Sequence, residues 1–295
     1  MKLYKYTRKA WLSPYFAGLK LWLAVTPRQI STRGIPPPAI QGEIPTGLGA
    51  SLLFFAAADS HYFDAYGRSF IGSMINSQAS PCVHIHLFNP RAEQLDYLER
   101  LRHSDERLQL SYTWEDVDFG QLPLLRRGCY YYSVRFLRMA EVVKQARVNC
   151  LCLDIDALLV QPVEQLLAEL QDCDIAFYSR FERFGIDTKL LAGTLFVAST
   201  GLSSGLLATI GDKIRRFVSR GHILMKLDQI IIYDEFRKIK RRHPELRFKS
   251  FDERLIDTRF SSTGIIWYPK GVSKRDALYE EKRVQLSCIV DSVQL

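Results

Sequence analysis

The run Leu52-Leu53-Phe54-Phe55-Ala56-Ala57-Ala58 contains no polar residue and stops at Asp59. A strand with one wet face alternates polar and apolar side chains. An unbroken apolar run instead suits a sheet covered on both faces, the usual setting of parallel strands. The segments that follow repeat the theme. Residues 63–76 carry a helical pattern, 83–88 a strand, 92–102 a helix, 108–112 a strand, 131–143 a helix, 149–153 a strand, 163–170 a helix and 174–178 a strand. A strand at 194–198 and helices at 204–220 and 228–238 make a less regular second half. This alternation predicts an α/β fold with a mostly parallel central sheet flanked by helices.

Composition is that of one sizeable globular body. The chain has 295 residues, 47% hydrophobic and 24% charged, and no apolar stretch reaches the roughly 18 residues a spanning helix needs. Six cysteines, at 82, 129, 150, 152, 173 and 288, include no C-x-x-C pair. That spacing disfavours zinc and predicts buried thiols in a reducing, cytoplasmic setting. The net charge of +8 is uneven, because residues 1–48 hold seven Lys and Arg against Glu43 alone. Residues 1–48 read as a basic aromatic extension closed by a Pro/Gly linker, and 49–295 as the body. Trp11, Tyr15, Phe16 and Trp22 among those cations either dock on the body or make a peripheral contact with an anionic membrane. The stretch 11–25 is interrupted by Ser13, Pro14 and Lys20 and reads poorly as a signal peptide. A second basic run, from Arg237 to Lys249, reads as a solvated helix end or an anion-binding patch. No nucleic-acid-binding signature accompanies either cluster, so nucleic acid is not an expected partner.

In an open α/β sheet, ligands gather beyond the carboxyl ends of the strands. Two strands here run into acids, Ala58 into Asp59 and Leu153 into Asp154-Ile155-Asp156, which brings three carboxylates to one rim. In extended backbone Asp154 and Asp156 face the same side. Two carboxylates at that spacing repel, and desolvating them is costly unless a cation joins them. Mn2+ or Mg2+ suits oxygen ligands and fills the rest of its shell with phosphate and water. The pair therefore predicts a phosphate-bearing ligand. A solvated acidic strand end is the alternative.

Four segments carry a family likeness: residues 55–62 (Phe-Ala-Ala-Ala-Asp-Ser-His-Tyr), 130–136 (Tyr-Tyr-Tyr-Ser-Val-Arg-Phe), 153–159 (Leu-Asp-Ile-Asp-Ala-Leu-Leu), and 192–196 together with Leu227-Asp228-Gln229. In order and spacing they resemble a GT-A glycosyltransferase, most of all glycosyltransferase family 8 and its bacterial relatives. The resemblance covers about residues 50–275. It implies a Rossmann-like GT-A fold and metal-dependent transfer of a sugar from a nucleoside diphosphate, UDP above all, to a hydroxyl acceptor. It implies that Asp59 and Tyr62 hold the uridine, Tyr62 by stacking on the base. Asp154 would touch the ribose and help hold the metal, and Asp156 would bind the metal directly. Arg135 would lie near the carboxylates and offset their charge, or else sit on a helix surface. Residues 264–271 resemble the family's closing segment, with Trp267 and Lys270 on the donor and Lys270 at its diphosphate. There Tyr268 stands in the neighbourhood where a His usually completes the metal shell. Leu191 replaces the Asn that precedes Ala-Gly. The metal and Lys270 would offset charge growing on the departing diphosphate. Asp228 and Gln229 would serve beside the reacting carbon, although Asp228 reads equally well as a helix N-cap.

Two other readings stay open. Residues 154–158 approximate the haloacid dehalogenase phosphatase motif, with Asp154 as nucleophile. The absent His and Asn also fit a degenerate GT-A-like protein that binds without catalysing.

Overall fold

The computed structural model describes residues 34–47, 50–78 and 80–293. The basic aromatic segment of residues 1–33 lies outside them.

The unbroken apolar strand β2 (Leu52–Asp59) is buried on both sides. Leu53 and Phe55 enter one hydrophobic cluster, while Leu52, Phe54, Ala56 and Ala58 enter another on the opposite face. β5 (Asn149–Leu153) divides in the same way, with Cys150 and Cys152 facing the first cluster and Leu151 and Leu153 the second. These strands join β1 (Gln41–Gly42), β3 (Cys82–Phe88), β4 (Gln109–Glu115), β7 (Ile175–Ser179), β8 (Leu190–Val197) and β9 (Phe248–Ser250). The sheet order is β1-β4-β3-β2-β5-β8-β7-β9. Strands β4, β3, β2 and β5 pair in parallel. β8 enters antiparallel between β5 and β7.

Helices cover both faces. α1 (Ser60–Ser77), α2 (Ala92–Ser104) and α4 (Val163–Leu170) contribute Phe70, Leu98 and Leu166 to the second cluster. α3 (Leu124–Ala146), α5 (Gly201–Ser219) and α6 (Leu227–Arg242) contribute Phe136, Ile210 and Ile232 to the first. A small sheet of β10 (Ile256–Asp257), β11 (Ile266–Trp267) and β6 (Leu158–Leu159) lies beside them, and α7 (Ala277–Val293) closes the described chain. Among the described residues no helix is long and apolar enough to cross a membrane.

Residues 34–47, expected as part of a linker, lie along the body. The Ile35 N–H donates to the Val218 carbonyl at 3.0 Å, and Arg138 donates to the Pro38 carbonyl at 2.8 Å. Gln41 and Gly42 pair with Trp114 and Thr113. Much of the second basic run is absorbed in local contacts. Lys240 donates to the Pro244 and Leu246 carbonyls, Arg247 pairs with Asp174 at 3.0 Å, and Lys249 pairs with Glu169. Five of the six cysteines are buried free thiols and Cys288 is exposed.

Candidate active site

β2 and β5 deliver their acids to one pocket of about 200 Å3 at the carboxyl rim of the parallel strands. Asp59, Tyr62, Tyr131, Tyr132, Arg135, Asp154, Asp156 and Lys274 are among its lining residues. Asp59 ends β2 and caps α1, its carboxylate accepting from the Tyr62 N–H at 2.8 Å. That cap turns the chain so that Tyr62 reaches the same pocket.

The aspartate pair is not on extended backbone. The Asp154 N–H donates to the Gly193 carbonyl at 3.0 Å, and the Ala157 N–H donates back to the Asp154 carbonyl at 2.9 Å. It is this turn, not strand alternation, that presents both carboxylates to the pocket.

Arg135 is buried rather than on a helix surface. It is ion-paired with Asp154, lies 3.7 Å from Asp228 and donates to the Ala192 carbonyl at 3.1 Å. Burial opposes its charge, but Asp154 and the groups around it hold its pKa above the ordinary arginine value. Asp228 is the second residue of α6 and not its cap, a position held by Lys226 in left-handed backbone. Its carboxyl is pushed up to about 6, first by burial, with Arg135 pulling the other way. Gln229, with its amide nitrogen turned toward the backbone, donates to the Leu190 carbonyl at 2.9 Å and the Asp187 carbonyl at 2.6 Å. Asp228 and Gln229 thus adjoin the site through Arg135 and β8 and do not line the pocket.

Tyr268 donates its hydroxyl to the second oxygen of Asp154. Burial, followed by the Asp154 charge, raises its pKa well above the ordinary phenol value, so the hydroxyl keeps its proton. Gly193 makes room for this contact, because a methyl group there would overlap the Tyr268 hydroxyl.

Trp267 and Lys270, expected on the donor, are not brought to the pocket. The Trp267 indole donates to the Ser261 carbonyl at 3.0 Å, and its ring packs on Phe260 in a satellite cluster with Tyr279 and Leu286. The Lys270 ammonium lies 5.2 Å from the Tyr268 ring centre and 5.3 Å from that of Tyr178. Burial, then Arg180 and Arg183, push its pKa down to about 8. The lysine in the pocket is Lys274, which sequence reasoning missed. It is ion-paired with Asp156, lies 3.3 Å from the Tyr62 hydroxyl and sits 4.9 Å from the centre of the Tyr62 ring. Burial works against its charge, yet Asp156 holds its pKa above the ordinary lysine value. The available signal was Gly271, whose φ of +54° opens a 3-10 turn over Gly271–Arg275 and bends the chain back over the rim.

The donor set does not make a divalent-metal shell. Both Asp154 oxygens are engaged, by Arg135 and Tyr268, and one Asp156 oxygen is engaged by Lys274. Asp156 Oδ1 is buried without a hydrogen-bond partner. Among the described residues no group of three or more His, Cys, Asp or Glu side chains gathers to hold a metal. A hard divalent ion takes one or two carboxylates and fills its shell with phosphate and water, but here the Asp154 and Asp156 oxygens face Arg135, Tyr268 and Lys274, and only Asp156 Oδ1 stays open beside two fixed cations. The same contacts count against a phosphatase, since the nucleophilic Asp of that motif needs an oxygen open to substrate.

No protein-family model matches the sequence, and no curated protein matches it. The fold nonetheless defines a class: it is GT-A-like, shared with solved glycosyltransferases. Among these is the galactosyltransferase LgtC, solved in complex with donor and acceptor sugar analogs, at a TM-score of 0.53 and 15% identity over 80% of this chain and 95% of that one. The glycosyltransferase GlyE of Streptococcus pneumoniae TIGR4 aligns at a TM-score of 0.54 and 13% identity, over 82% of this chain and 63% of its own. The bifunctional glycosyltransferase WbbM aligns at 0.50 and 11%, over 72% of this chain and 40% of its own. The chain therefore spans less than two thirds of GlyE and WbbM. At these identities the likeness is one of fold.

Proposed function

We propose that the chain transfers a sugar from a nucleoside diphosphate donor, UDP foremost, to a hydroxyl acceptor. The observation that carries this reading is the convergence of Asp154, Asp156, Arg135 and Lys274 from three separate segments beside a tyrosine-lined pocket, in a GT-A-like fold. Tyr62, Tyr131 and Tyr132 offer flat faces for a nucleobase. Lys274 and Arg135 are the cations that face a diphosphate, and their charge opposes the negative charge that grows on it as the glycosidic bond breaks. The half-buried carboxylate of Asp154 and the buried one of Asp156 orient those cations and offer acceptors to donor hydroxyls. Asp228 holds Arg135 in place from α6, and Gln229 fastens the start of α6 to β8. To residues 1–33 we assign, on charge alone, a peripheral contact with anionic lipid.

The test is a thermal-shift and turnover series with UDP, GDP, CDP and their sugar conjugates. A ligand at about 100 times its Kd adds roughly 2.7 kcal/mol of stability, so a true donor gives a clear rise in melting temperature. Release of the nucleotide should then accelerate in the presence of a hydroxyl acceptor. A chain that no nucleoside diphosphate stabilises does not have this function.

A further inference from the structure

We propose that this site binds its nucleoside diphosphate without a divalent ion, with Lys274 and Arg135 supplying the positive charge that a metal would otherwise bring. The inference rests on the reading of the pocket as a nucleoside diphosphate site.

Three observations carry it. Each carboxylate of the pair already faces a cation, Arg135 for Asp154 and Lys274 for Asp156. A divalent ion entering between the carboxylates would have to displace one of these cations. Arg135 is anchored elsewhere, by the Ala192 carbonyl at 3.1 Å and by Asp228 at 3.7 Å, so its displacement would leave the buried Asp228 unpaired.

The second observation is Tyr268. Its hydroxyl occupies the remaining Asp154 oxygen, directly above Gly193, where any larger residue would overlap it. A strand position that only glycine can fill, facing a phenol that donates to the carboxylate, is a built contact. The phenol O–H takes up a lone pair of that oxygen and fills the space in front of it.

The third is how Lys274 is held. Its ammonium lies 4.9 Å from the Tyr62 ring centre and 5.6 Å from that of Tyr66, and 3.3 Å from the Tyr62 hydroxyl. The turn behind it is fixed by the Lys270 N–H donating to Ser273 Oγ at 2.7 Å. Two aromatic faces and a carboxylate thus preorganise one cation at the pocket wall. When a diphosphate arrives, the ammonium needs only to share its three N–H donors between Asp156 and a phosphate oxygen.

The experiment is calorimetric titration of the full chain with UDP, GDP and CDP, in excess EDTA and again in excess Mn2+. The expected result is binding in EDTA with a Kd that Mn2+ leaves unchanged. Lys274→Met should weaken binding in EDTA by about ten- to a hundredfold, the loss of one charge-assisted contact. Mn2+ should restore part of that loss, because the substitution frees the second Asp156 oxygen. Lys274→Arg should keep binding in EDTA. Wild-type binding that requires Mn2+ would overturn the inference while leaving the donor-site reading intact. Absence of binding by all three nucleotides in both buffers would overturn both. The wild-type comparison needs no variant, so misfolding of Lys274→Met leaves the decision unaffected.

Discussion

Asp228 shows what this site costs the fold at the scale of one residue. Its carboxyl is buried 3.7 Å from Arg135, and burial raises its pKa from 3.8 to about 6. The folded state therefore holds the proton more tightly than the unfolded chain. The stability this contributes is present below about pH 3.8 and lost as pH rises through about 6. Asn has the same shape and no such loss. Asp228→Asn should leave stability unchanged near pH 4 and raise it by about 2 kcal/mol near pH 7.5, read as urea midpoints at the two pH values. A variant less stable at the higher pH would mean that the attraction to Arg135 outweighs the burial of the charge. Several residues of the site were legible beforehand for a simple reason. Asp59, Asp154 and Asp156 end apolar strands, and a strand end is a place on the rim whatever the rest of the chain does. Lys274 went unread, because its position depends on a left-handed Gly271 and a 3-10 turn, and a lone glycine is the one mark that turn leaves in the sequence.

At the scale of elements, the placement of that turn depends on α7, which follows it directly and lies against α1. Gly72 of α1 sits where a side chain would overlap the Leu286 carbonyl and come within 3.3 Å of Val290 Cγ2. The Tyr279 hydroxyl of α7 donates to the Asp156 carbonyl at 2.6 Å, so the helix also touches the aspartate turn itself. Gly72→Ala should therefore cost about 1–3 kcal/mol by overpacking and weaken UDP binding as well. Gly205→Ala on α5, where nothing lies within 4 Å, should instead stabilise by up to about 1 kcal/mol. Thermal melts and UDP titrations of the two variants check this contrast, and similar behaviour of both would contradict the close crossing. The sequence pattern foresaw β2, β5 and the helices around them, since residues that alternate between two buried faces leave a long apolar run. It did not foresee α7, where Tyr279, Leu286 and Val290 form a stripe too sparse to mark a helix among Glu280, Glu281, Lys282 and Arg283. The two-residue strands β1, β6, β10 and β11 are shorter than any alternation can reveal.

At the scale of the whole molecule, the contacts of residues 34–47 move the boundary between arm and body. Ile35 is buried, its N–H is bonded to Val218, and the Gly34 backbone passes so close to Ser219 that a side chain there would overlap its carbonyl. The Pro38 carbonyl accepts from Arg138, a fully buried cation paired with the equally buried Glu115. β1 covers the outer edge of β4. The segment that can be removed without touching these contacts is therefore 1–33, which holds seven Lys and Arg and no acid. Each basic residue near an anionic bilayer contributes about 1 kcal/mol, and salt screens the attraction. The full chain should sediment with anionic vesicles at low salt and be released at high salt. A chain lacking 1–33 should stay in the supernatant, melt at the same temperature and bind UDP as before. A chain lacking 1–48 should melt earlier, because Arg138 loses an acceptor worth about 1–3 kcal/mol and β4 becomes a bare edge. If removal of 1–33 alone lowers the melting temperature and the full chain ignores vesicles, the arm docks on the body. If the 1–33 and 1–48 deletions melt alike, the boundary lies after residue 48 and the contacts of Ile35 and Pro38 contribute nothing measurable.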